Sequence, residues 1–155
     1  MRFNMKKNKL LKTLLSSQTL ILVFITILSA CTPKYISDYD EYTDRAITSL
    51  QREFETFFVT LDSLVDRDKC EWINHSSFYH SSKINISSVQ VRVKAITKNK
   101  KTIEQVVLLS NSLKSLEKLH KLGCFSNEQI ENLRSNFNSS FTAILKLELA
   151  KKRIQ

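Results

Sequence analysis

From residue 38 onward the apolar positions fall at alternating steps of three and four, the period that gathers them on one face of an α-helix. Ile47, Leu50, Phe54, Phe57, Leu61 and Leu64 form one such stripe and predict a first helix over about 38–69. Ser37 and Asp40 have the spacing of a capping box, and acids crowd the first turns, where the helix dipole favours them. Tyr79, Ser82, Ile86, Val89, Val93 and Ile96 form a second stripe. Within it VQVRVKAI, residues 89–96, also alternates and is β-branched, which favours a strand by propensity. A lone strand would have no partner in this chain, so the segment is read as a helix over about 76–97. TKNKKTIEQ then breaks the period, and Thr102 with Gln105 signals a third helix over about 102–122, with Val106, Leu109, Leu113, Leu116 and His120 on its stripe. Gly123 stands where a helix C-terminus favours positive φ. Ser126 with Gln129 opens a fourth helix over about 126–153, and Phe125 and Ile130 have the spacing of a hydrophobic staple. Its buried face is expected at Ile130, Leu133, Phe137, Ile144 and Leu147.

Four amphipathic helices with short connections imply an all-α protein, an antiparallel up-down four-helix bundle spanning 38–155. One Gly and one Pro in 155 residues agree with this, because β and α/β chains need far more turn chemistry.

The first thirty residues follow another pattern. Residues 1–12 carry Arg2, Lys6, Lys7, Lys9 and Lys12 and no acid, and an apolar stretch densest from Leu20 to Leu28 follows. A charged start, an apolar middle and small residues at a cut site are the parts of a secretory signal peptide, expected here over 1–30. Ser16, Ser17 and Gln18 interrupt the run, which argues against a retained span of about 20 apolar residues. Leu28-Ser29-Ala30-Cys31 resembles the lipobox of bacterial lipoproteins. The resemblance implies that Cys31 becomes the mature N-terminus, carrying lipid on its sulfur, with 31–37 as a short tether. Thr32, in place of the Asp that retains such proteins at the inner membrane, implies the outer membrane facing the periplasm if the cell has two membranes.

That reading changes the charge. The chain carries 24 Lys and Arg against 15 Asp and Glu, and five of the basic residues fall in 1–30. The mature chain therefore keeps 19 basic residues, net +4. Residues 31–71 hold 5 basic and 10 acidic residues, and 72–155 hold 14 and 5, an asymmetry that fits an acidic first helix lying against basic later ones. So basic a chain would ordinarily point to nucleic acid, but an exported, anchored protein rarely meets it, and no nucleic-acid partner is expected.

With Cys31 lipidated, Cys70 and Cys124 remain. In an up-down bundle the ends of helices one and three lie at the same end, so a Cys70–Cys124 disulfide is expected in an oxidising envelope. Had 76–122 formed one continuous helix of about 70 Å, the two would stand too far apart for the ~7 Å limit on Cα separation.

The same topology sorts the remaining chemistry. Lys98, Lys100, Lys101, Lys151, Lys152 and Arg153 fall at the tether end, where they would face anionic headgroups. Asp38, Asp40, Glu41 and Asp44 share that end, and local pairing with them is the simpler reading. The distal end carries Trp72, Phe78 and Tyr79, a partner surface or, by the commoner use of such residues, the packing that closes the bundle. Glu71, His75 and His80 are weak zinc candidates, short of the four ligands a structural site wants. Glu117 and His120 match one Glu-x-x-His unit of di-iron bundles, which need two. There is no Gly-rich phosphate loop and no G-x-S-x-G.

LEKLHKLG and NFNSSFTAILKLELAKKR are similar to a group of small helical lipoproteins of Gram-negative bacteria, a resemblance that implies no catalytic residues. The expected function is that of a non-enzymatic, lipid-anchored scaffold, adaptor or accessory subunit without a cofactor, with a protein partner in the envelope. The alternative is a ligand- or metal-binding module that uses the bundle interior or the Trp72–His80 end.

Overall fold

The computed structural model describes residues 36–65 and 68–154. The signal and lipobox features, Cys31 among them, lie outside the described residues. The chain forms four helices, α1 (Glu41–Ser63), α2 (Ser76–Ala95), α3 (Lys100–His120) and α4 (Asn127–Ile154). Each packs on its sequence neighbours, and α1 closes the ring against α4, which gives the expected antiparallel four-helix bundle. The stretch that alternates like a strand is helical through Ala95, with Val89 and Val93 buried.

The core is built from the stripes. Ile47, Leu50, Phe54 and Leu61 of α1 meet Ile86, Val89 and Val93 of α2, Val106, Leu109, Leu113 and Leu116 of α3, and Ile130, Phe137, Phe141 and Ile144 of α4. Full burial of such side chains contributes roughly 1.5–3 kcal/mol each before the cost of ordering the chain. Phe57 and Phe78 stack at 3.8 Å, and Phe54 sits edge-on to Phe78 and Phe141.

Helix ends differ from expectation where a stronger cap competes. α1 begins at Glu41 because Asp40 caps it, its Oδ2 accepting from the Thr43 N–H at 3.1 Å and the Thr43 hydroxyl at 2.6 Å. Ser37 instead donates its N–H to the Lys98 carbonyl and its hydroxyl to Asn99 Oδ1. α1 stops at Ser63, short of 69, where the Leu64 N–H bonds to the Leu61 carbonyl. Two 3₁₀ turns, Asp68–Cys70 and Trp72–His75, then carry the chain across the distal end. α3 starts at Lys100, so Thr102 lies inside the helix, buried, rather than capping it. At α4 the box is reciprocal, with Ser126 N–H to Gln129 Oε1 and Gln129 N–H to Ser126 Oγ.

Candidate functional site

Two polar constellations occupy opposite ends of the bundle. At the tether end the α4 stripe continues past Ile144 onto Glu148 and Lys151, both buried. Lys151 Nζ donates to Glu148 Oε1 at 2.5 Å, Asn99 Oδ1 at 2.6 Å and Thr102 Oγ1 at 2.9 Å. Those three bonds use every proton of the ammonium. The Thr102 hydroxyl donates to Glu148 Oε1 at 2.9 Å, and the Asp40 N–H approaches Oε2 at 3.5 Å. Asn99 is held in turn by its Nδ2 donating to the Val93 carbonyl. The network ties Ser37, the α2–α3 turn and the ends of α1, α3 and α4 together.

Lys151 is therefore not part of a membrane-facing basic surface: it is 6 % exposed and committed to Glu148. Lys98, Lys100, Lys101, Lys152 and Arg153 do stand exposed at this end. Local pairing with Asp40, Glu41 and Asp44 is not what the acids do. Asp40 is gripped by Arg92 through Nε and Nη2, Glu41 pairs with Arg45, and Asp44 accepts from the Tyr39 hydroxyl. The Arg92 hydrogen bonds hold the Asp40 carboxyl down at about 2, while the Asp44 contact pushes Tyr39 up to about 12.

At the distal end Cys70 and Cys124 form a disulfide with Cα atoms 5.5 Å apart. His120 lies beside it, its Nε2 2.7 Å from the Cys70 carbonyl and its Nδ1 2.8 Å from the Tyr79 hydroxyl. A carbonyl only accepts, so Nε2 carries the proton and Nδ1 receives the Tyr79 O–H. Burial, together with His75 nearby, lowers the His120 pKa and favours this neutral form. Burial also pushes the Tyr79 hydroxyl far above its ordinary range. The pair bridges α2, α3 and the turn that carries Cys70.

Tyr79 is buried in the core and is not available as a partner surface, and Phe78 is half-buried against the core, stacked on Phe57. Trp72 packs on the core with Lys121 over its ring at 4.4 Å, and its indole N–H is buried without an acceptor among the described residues. Glu71 and His80 are exposed, and the half-buried His75 contacts the Lys69 carbonyl. Among the described residues no three His, Cys, Asp or Glu side chains converge as metal ligands. Glu117 of the Glu-x-x-His unit bonds Lys83 at 2.5 Å and Lys121 at 3.4 Å. Burial raises its pKa, but the two lysines outweigh that and the net shift is downward. A groove of about 380 Å³ opens between the end of α3 and the start of α4, lined by Leu119, Leu122, Phe125, Leu133 and three amide side chains.

Sequence reasoning missed Glu148 and Phe141. Both lie on the three-four rhythm that runs 137, 141, 144, 148 and 151, and following its phase regardless of polarity would have found them. Fold and site define an all-α up-down bundle, closed by a disulfide at one end and a buried ion-pair network at the other. No known protein-family model, curated protein or solved structure matches the chain.

Proposed function

We propose that the protein is a lipid-anchored, periplasm-facing bundle that works by contact, as scaffold, adaptor or accessory subunit of an outer-membrane complex, without a reaction or cofactor of its own. The anchor rests on Leu28-Ser29-Ala30-Cys31 directly behind a charged start and an apolar run. The observation that carries the contact role is how the polar chemistry is spent. Lys151, Glu148, Thr102, Asn99, His120 and Tyr79 all satisfy one another or backbone groups. The apolar groove beside Leu122, itself 85 % exposed, is surface without such a commitment.

Metabolic labelling with an alkyne fatty acid tests the anchor: the native chain takes up label and Cys31→Ser does not. Cross-linking in intact membranes followed by native mass measurement tests the role, with a stoichiometric protein complex expected. A monomer carrying neither partner nor ligand overturns it. The groove volume also lies in the range of small-molecule sites, and a monomer extracted with a bound apolar molecule would select the ligand-binding reading.

A further inference from the structure

The tether-end network has a geometric consequence. Ser37, the second described residue, donates through its N–H to Lys98 at 3.1 Å and through its hydroxyl to Asn99 at 3.0 Å. Asn99 in turn receives Lys151, whose neighbours Lys152 and Arg153 end α4. The exit of the tether, the Lys98–Lys101 turn and the Lys152–Arg153 tail are thus one rigid face. Lys98 sits in that turn with φ +58° and its side chain in solvent. Lys100 and Lys101 share Glu104 only at 3.9 and 3.6 Å, and Lys152 lies over the Tyr39 ring at 5.1 Å. The acids at the same end are all engaged, Asp40, Glu41 and Asp44 by Arg92, Arg45 and Tyr39, and Asp38 by a contact of its own.

We propose that Lys98, Lys100, Lys101, Lys152 and Arg153 form a docking face for the headgroups of an anionic lipid layer, aligned by the buried Lys151–Glu148–Asn99–Ser37 network. The proposal rests on the lipidation of Cys31. From Cys31 to Ile36 is five residue steps, a contour of no more than roughly 18 Å at about 3.6 Å each. Charges within a Debye length of about 8 Å of the surface are only partly screened, each strengthening the contact by roughly fivefold. An acidic protein partner would meet the same charges but would not explain their place around the tether exit.

The test uses the full chain, acylated in cells and reconstituted into vesicles of phosphatidylcholine alone or with phosphatidylglycerol. A fluorophore is placed at Thr97→Cys or, at the distal end, Asn127→Cys, and nitroxide-labelled headgroups quench it. Flotation reports attachment separately. The expected result is flotation on both vesicles, with quenching at 97 several-fold stronger on the anionic ones, lost at high salt and in K98E/K100E/K152E/R153E, and weak at 127 throughout. Flotation on both with equal quenching at 97 overturns the docking face and leaves the anchor standing, the result an acidic protein partner would give. Flotation on anionic vesicles alone overturns the anchor and with it a face aligned by the anchored chain, leaving only charge-driven binding. Flotation on neither overturns both.

Discussion

Replacing Lys151 with Met keeps the aliphatic stem and removes the ammonium from the buried network. Glu148 is 0 % exposed. It would keep one hydrogen bond from Thr102 at 2.9 Å and a long one from the Asp40 N–H at 3.5 Å. Stripping one member from a buried pair costs about 3–5 kcal/mol, because the other charge stays desolvated. Glu148→Leu should cost less, about 2 kcal/mol, since Lys151 keeps Asn99 and Thr102 as acceptors and a long stem can carry its charge outward. The double variant should lie within about 1 kcal/mol of the native chain, as buried pairs replaced by apolar residues of similar volume generally do. Thr102 can turn its hydroxyl to the backbone of its own helix. Urea unfolding followed by far-UV circular dichroism, with the disulfide intact, reads this directly. With a slope of about 2 kcal/mol per molar, Lys151→Met lowers the midpoint by about 2 M. A shift of under ~0.5 M for that variant, or a double variant that loses the sum of the singles, refutes the reasoning.

The disulfide closes a separation of 54 residues, so Cys70→Ser/Cys124→Ser should lose about 4 kcal/mol in the chain-entropy model, read as a lower urea midpoint that dithiothreitol no longer moves. His120 has a pKa in the fold below its ordinary 6.5, so the unfolded chain binds the extra proton. Stability is full above about 6.5 and drains as pH falls toward the folded value; unfolding midpoints at neutral and mildly acidic pH should show the drop, and His120→Gln should flatten it. Asp40 is held at about 2 against an ordinary 3.8. Its contribution is present above about 4 and lost as pH falls toward 2, and Asp40→Asn, which keeps a cap but weakens the Arg92 grip, should cost about 1 kcal/mol at neutral pH in the same assay.

The four helices were legible because each carries a stripe long enough to separate a 3.6 period from a 2 period, even through VQVRVKAI, where β-branching argued the other way. The tether-end network was harder to read. Glu148 and Lys151 hold core positions of the α4 stripe, yet a search for apolar residues in phase settles on Leu147, which is only half-buried. Thr102 was visible as a helix-starter and proved to be a buried donor, because Asn99 and Lys100 take the start of α3. At the distal end the position of His120 on its stripe could be read. Its meaning could not, because its two partners, Tyr79 and the Cys70 carbonyl, are 41 and 50 residues away in sequence. Short-range pattern reveals which residue is inside; only the assembled topology reveals what it bonds to.

The two ends of the bundle are fastened by different physics, which gives the molecule a direction. The distal end is held by a covalent bridge and a neutral histidine, and it yields to reductant and to acid. The tether end is held by a compensated ion pair, indifferent to reductant. An apolar plug there would pack as well, but it would take one of two donors from the Asn99 amide oxygen, which accepts from both the Lys151 ammonium and the Ser37 hydroxyl. Removing the charges should therefore leave the bundle folded, with Ser37 still bonded to Asn99 and the Lys98 carbonyl but with one bond fewer holding the Asn99 amide. The place of the buried Lys151, one residue before the exposed Lys152 and Arg153, links interior packing to the face from which the chain departs.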